Sequence, residues 1–144
     1  MRILLDTSVL VAAMVEAHPA HERALPWLQR LKSGPDAGLI AAHSLAEVYA
    51  ILTSLPGRPR ITPARARQLI QSNILGSFEV VSPAEQDYVA LIDHLAELGI
   101  SGGATYDALI LQAAARSNVD QVVTLNERDF RRVYPVLAER IVAP

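Results

Sequence analysis

Four apolar runs too short to be helices punctuate this chain, and longer stretches with helical spacing fill the gaps between them. The runs are Ile3 to Leu5, Gly38 to Ala41, Phe78 to Val81 and Gln121 to Thr124. Strands alternating with helices favour a parallel sheet covered on both faces, because each crossover helix must bury its apolar stripe against the sheet. The segment order predicts an α/β fold. It is a three-layer α/β/α sandwich around a central, mainly parallel sheet of four strands, or five if Arg140 to Val142 adds an edge. Right-handed crossovers are expected.

The helical segments follow from apolar periodicity. Thr7 or Ser8 opens an apolar helix through about Val15, and His18-Pro19 breaks it. Pro19 to Lys32 carries Ala24, Leu25, Leu28 and Leu31 at helical spacing, with Pro26 expected to kink or split the helix. Ser44 to about Leu55 places Leu45, Val48, Leu52 and Leu55 on one face. Thr62 is the expected cap of a helix with Pro63 at its first position and Ala66, Leu69, Ile70 and Ile74 inward. Ser82-Pro83 starts another, with Tyr88, Leu91, Ile92, Leu95 and Leu98 inside and Gly99 at its end. Asp107 to Arg116 is apolar nearly all round, which predicts a central, buried helix. No repeat or linker interrupts the pattern, so residues 1–144 are read as a single domain.

Composition excludes several classes. The absence of cysteine removes disulfides, thiolate metal sites and a cysteine nucleophile, and is compatible with the cytoplasm, the expected location. No run of 18 apolar residues exists, so no membrane span is expected, and the first residues are charged too early for a signal peptide. A net charge of −2 gives no global basic field. Setting aside a few clustered acids would leave the remainder mildly basic, and arginine outnumbers the single lysine, Lys32, a bias that suits phosphate contact.

Those acids carry the functional signal. Asp6 follows the first run, Glu47 and Asp107 lie near the starts of two later helices, and Asp129 follows the fourth run. Strand C-termini of an open parallel sheet share one edge, where ligands bind, so these distant acids are predicted to meet. Each also has a structural explanation. Asp6 is a candidate helix cap, Ser44-Leu45-Ala46-Glu47 fits a capping box, and Asp107 lies two residues after Thr105, a candidate cap. Two arguments favour a site: the shared edge, and the cost of a carboxylate heading an apolar helix with no lysine nearby. A bound cation would relieve that cost, and ligands limited to oxygen point to Mg²⁺ or Mn²⁺. Such an ion lowers the pKa of bound water and stabilises charge on a phosphodiester.

Other polar residues are candidates for lesser roles. Thr7 and Ser8 are placed to orient Asp6 or a phosphate, and equally to cap the helix. Thr124 and Asn126 sit where they could contact substrate or metal-bound water, or shape a turn. Arg58 and Arg60, with Arg65 and Arg67, could track a phosphate backbone or form a solvated face, and Arg128, Arg131 and Arg132 make a second basic patch. His18 and His21 are too few for a structural zinc site, and His43 and His94 are expected at the surface or as satisfied core residues.

Four segments in order now suggest a family: Leu5-Asp6-Thr7-Ser8-Val9-Leu10, Ser44-Leu45-Ala46-Glu47-Val48, Gly102-Gly103-Ala104-Thr105-Tyr106-Asp107-Ala108-Leu109-Ile110, and Thr124-Leu125-Asn126-Glu127-Arg128-Asp129-Phe130. Together they resemble the ordered motifs of PIN-domain ribonucleases, most closely VapC-type toxins of bacterial toxin–antitoxin pairs. The resemblance spans nearly the whole chain. It implies an α/β/α sandwich and Mg²⁺- or Mn²⁺-dependent endonucleolytic cleavage of single-stranded RNA. It assigns Asp6, Glu47 and Asp107 to the three principal acids, as catalytic residues and metal ligands. Many members carry a fourth acid two residues after the threonine, where this chain has Asn126; Asp129 matches the acid before phenylalanine in the same motif and is expected as the fourth catalytic acid and metal ligand. The resemblance further implies homodimers and a VapB-like antitoxin that buries an apolar segment in a groove between helices.

Two other readings compete. In an aspartyl-phosphate enzyme Asp6 would be the nucleophile, but Ser8 stands where related phosphatases need a second aspartate, and Lys32 is not after a late strand. In a PIN-like binding module without catalysis, the acids would serve only as helix caps.

Overall fold

The computed structural model describes residues 1–144. Its strands are β1 (Arg2–Leu5), β2 (Ala37–Ala41), β3 (Phe78–Val81), β4 (Gln121–Val123) and β5 (Ile141–Val142). All pair in parallel, in the order β3-β2-β1-β4-β5. Helices α1 (Thr7–Met14) and α2 (His21–Ser33) connect β1 to β2; α3 (Ala42–Ser54) and α4 (Pro63–Asn73) connect β2 to β3. Helices α5 (Glu85–Leu98) and α6 (Ala104–Arg116) lead to β4, and α7 (Glu127–Val133) with a 3-10 turn at Pro135–Arg140 leads to β5.

Side-chain alternation along the strands divides the core into two layers. Ile3, Leu5, Ile40 and Val123 face α1 to α4, whereas Leu4, Leu39, Ala41 and Val122 face α5 to α7. The strands therefore read as continuous apolar runs, as buried parallel strands do. This is the three-layer sandwich anticipated above, with the fifth strand at an edge. No helix is long and apolar enough to cross a membrane.

Several local expectations change. Helix α2 runs unbroken through Pro26. Pro26 and Glu22 are both exposed, so the Glu22 carbonyl that loses its amide partner can reach water. Helix α3 begins at Ala42, so Ser44 is inside it and the capping box does not form. Helix α6 begins at Ala104, capped by Gly103 rather than Thr105. Helix α5 starts at Glu85; Leu91 and Leu95 are buried as expected, but Tyr88, Ile92 and Leu98 are exposed. Asp87 fixes the start of α5, accepting the Ala84 amide at 2.7 Å and pairing with Arg116 of α6. Thr62 caps α4 as anticipated, its hydroxyl accepting the Arg65 amide at 3.1 Å.

Strand β1 lies at the centre, and the chain runs to opposite sides of it through β2 and β4. The C-terminal ends of β1 and β4 flank the point where connection order reverses, the expected ligand crevice of an open parallel sheet.

Candidate active site

Asp6 ends β1 at this crevice and is only 3% exposed. Its amide continues the sheet ladder to the Val123 carbonyl at 3.0 Å. Two hydroxyls donate to one oxygen, Oδ2: Ser8 at 2.6 Å and Thr124 at 2.8 Å. Each hydroxyl oxygen in turn accepts a backbone amide from the loop after β4. The Leu125 amide donates to Ser8 Oγ at 3.1 Å, and the Asn126 amide donates to Thr124 Oγ1 at 3.0 Å. The two relays lock Asp6 to the end of β4. Burial raises the Asp6 pKa, opposed first by the Ser8 and Thr124 bonds and then by the nearby amides of Ser8 and Thr7. Its side chain makes no helix-capping hydrogen bond.

Glu47 lies in the second turn of α3, beyond reach of a capping role. Thr7 Oγ1 is 2.9 Å from Glu47 Oε1 and 3.0 Å from Ser44 Oγ. An ionised carboxylate only accepts, so Thr7 donates to Glu47, and the fully buried Ser44 hydroxyl supplies the proton of the bond to Thr7. Thr7 thus positions Glu47, while Ser8 takes the Asp6 role considered for both residues.

Asp107 projects from the first turn of α6. Its carboxyl is pushed up to about 6, first by burial and then by the charges of Asp6, Glu47 and Asp129; Arg132 acts in the opposite direction. The acids are therefore within electrostatic reach of one another. Asp6, Thr7, Ser8, Glu47, Asp107 and Asn126, with Ile51, line one small depression of about 140 Å³.

Not every predicted residue joins them. Asp129 is exposed and does not line the depression, although its charge reaches Asp107. Thr124 acts behind the wall through Asp6. Arg58 and Arg60 line a different groove with Val15, Ala17 and Leu55, because the loop after α3 folds against the end of α1. His18 and His21 are occupied locally. His18 Nδ1 accepts the Ala20 amide, and His21 Nδ1 lies 2.9 Å from the Ala12 carbonyl oxygen. Sequence reasoning overlooked Ser44 as a positioning group, since S-x-x-E reads as a cap.

The carboxylates and hydroxyls lining the depression offer oxygen ligands, which suit a hard cation. No three histidine, aspartate or glutamate side chains already stand in chelating positions. The three carboxylates share the depression without forming a closed chelate.

The PIN domain family model matches residues 3–135. The chain belongs to the PIN-domain family. Within that family it is 38% identical over 106 residues to Ribonuclease VapC40 of Mycobacterium tuberculosis, covering 73% of this chain and 72% of that protein. Ribonuclease VapC27 of the same organism is 30% identical over 118 residues, covering 82% and 80%. The fold matches VapBC2 from Rickettsia felis, crystallised bound to a DNA fragment from its promoter, with a TM-score of 0.67 and 20% identity. That match spans 100% of this chain and 98% of the other. The matched range, residues 3–135, contains the side chains of Asp6, Glu47, Asp107 and Asn126 that the fold gathers at one depression.

Proposed function

We propose that the chain is a metal-dependent endoribonuclease, the toxin of a VapBC-type pair, and that Asp6, Glu47 and Asp107 do its chemistry. One observation carries this reading: carboxylates from three separate elements, Asp6, Glu47 and Asp107, line one small depression, where burial first and the neighbouring charges second push the Asp107 carboxyl up to about 6. The names of VapC40 and VapC27 supply the class of reaction. The helix-cap alternative is disfavoured, because Glu47 lies outside the first turn of α3 and Asp6 Oδ2 accepts the Ser8 and Thr124 hydroxyls.

Asp6, Glu47 and Asp107 would hold Mg²⁺ or Mn²⁺, with Asn126 offering a neutral carbonyl oxygen at the same wall. When bound, such an ion supplies Lewis acidity toward a phosphodiester and acidifies a coordinated water. The chain's own residues prepare the site. Ser8 and Thr124 hold Asp6 Oδ2 by two hydrogen bonds, fixing the carboxylate plane. Thr7 aims Glu47, and Ser44 aims Thr7. Positions fixed before substrate arrives spare the reorganisation that would otherwise burden the transition state. Asp129 tunes Asp107 by charge rather than by contact.

A VapB-like antitoxin and a homodimer complete the proposal. The VapBC2 likeness supports the partner. An open groove of about 410 Å³ between α3 and α4, lined by Tyr49, Pro63, Ala64, Ile70 and Leu75 together with Arg67 and Gln71, offers a largely apolar surface for such a segment. Tyr88, Val89 and Ile92 leave apolar area on α5 that a second copy would cover.

The test is cleavage of single-stranded RNA by the purified chain with Mg²⁺ or Mn²⁺, with EDTA, and with Asp6→Asn. Metal-dependent cleavage lost in the folded variant is expected. Undiminished cutting by Asp6→Asn, or in EDTA, would sink the proposal.

A further inference from the structure

A depression lined by carboxylates repels the polyanion that the proposed reaction must admit. Affinity that does not depend on charge would offset this, and its means stands at the rim. Tyr106 precedes Asp107 on α6 and is 53% exposed. Its ring lies parallel to the His43 imidazole, with centroids 4.9 Å apart and planes 4° from coplanar. His43 belongs to the first turn of α3, and its Nε2 lies 3.5 Å from Glu47 Oε1. The two rings therefore meet where α3 and α6 each deliver an acid. The chain's other histidine–tyrosine pair differs. His94 and Tyr134 are tilted by 40°, and His94 Nε2 is bonded to the Val133 carbonyl, so that pair ties α5 to α7.

A parallel ring pair with one partner half in solvent is a stack with room for another member. Unpaired nucleobases are flat and stack on aromatic side chains with little regard to base identity, whereas paired bases have no free face. The rings are already stacked before any ligand arrives, and Tyr106 is anchored in the first turn of α6, which limits the ordering cost of binding.

We propose that Tyr106, backed by His43, is a stacking subsite for an unpaired nucleobase adjoining the phosphate at Asp6, Glu47 and Asp107. This rests on the ribonuclease reading and refines it: the subsite gives preference for single strands rather than for a sequence. Tyr106 is a substrate-contacting residue, and His43 is its support.

The test uses the full chain and short single-stranded RNA carrying 2-aminopurine, whose fluorescence is quenched on stacking, in EDTA so that no cleavage intervenes. Tyr106→Leu is expected to weaken binding roughly tenfold and abolish the quench, while Tyr106→Phe, which keeps the ring, restores both. In cleavage assays with Mn²⁺ the loss should fall on KM far more than on kcat. An abasic nucleotide at the quenched position should weaken wild-type binding equally and add nothing to Tyr106→Leu. The proposal is overturned if Tyr106→Leu binds as tightly as wild type. It is equally overturned if the variant loses kcat alone, which would make the ring a support for Glu47, or if it changes only the oligomeric state. A wild-type chain that quenches the probe yet cuts no RNA would support the subsite while removing the nuclease reading.

Discussion

Individual hydroxyls in this chain decide where carboxylates point. Thr7, Ser8, Ser44 and Thr124 connect Asp6 and Glu47 to backbone or buried groups. Thr7→Val removes the donor to Glu47 and strands the buried Ser44 hydroxyl, so it should cost about 1–3 kcal/mol in chemical denaturation and lower kcat. Asp107 gives a prediction in pH. Its carboxyl is raised from 3.8 to about 6 in the folded protein, so the folded state binds the proton more tightly than the unfolded chain. Ionisation of Asp107 therefore opposes folding. The penalty is absent below about pH 4, grows toward pH 6 and is complete above it. Metal-free protein should lose on the order of 1 kcal/mol across that range from this half-exposed group, allowing for solvent screening. Asp107→Asn should flatten this part of the profile, and saturating Mn²⁺ should reverse it; a variant with the wild-type pH profile would contradict the assignment. Asp6 and Asp107 were legible in sequence because an acid after an apolar strand or before an apolar helix is costly without a purpose. The hydroxyl relays were not, because serine and threonine near a helix start look the same whether they cap or donate to a side chain.

Helices were legible where their signals were local and strong. Thr62-Pro63 marked the start of α4 at the correct residue, and Thr62→Ala should cost about 1 kcal/mol, measurable by urea denaturation. Gly99 closes α5 in the left-handed conformation, with φ of 66°. The inner face of α5 was read too broadly. Apolar residues occupy more of its circumference than the sheet can cover, and periodicity alone does not say which of them face solvent. Helix α7 escaped notice because it spans seven residues and buries only Phe130 and Val133, too few to establish a period. Pro26 misled in the opposite direction, since the carbonyl it frees is at the exposed start of α2 and loses little.

Across the whole molecule, the alternation of strand and helix was enough to predict layers and the functional edge, while strand order needed coordinates. Short strands of similar composition do not declare their neighbours. Close layer contact depends on Gly38 in β2, opposite Phe78. A Cβ there would lie 2.6 Å from Phe78 Cε1 and 3.1 Å from Leu31 Cβ, so Gly38→Ala should destabilise by about 1–3 kcal/mol by pushing α2 and β3 outward. The same architecture gathers Asp6, Glu47 and Asp107 from three separate elements, and the proposed function requires that together they hold a hard cation. Calorimetric titration of Mn²⁺ into wild type and Asp107→Asn near pH 6 tests it most directly. Binding accompanied by proton release in wild type, and weakened at least about tenfold in the folded variant, is the predicted result. Equal affinity in the two proteins, or no binding by either, would contradict it.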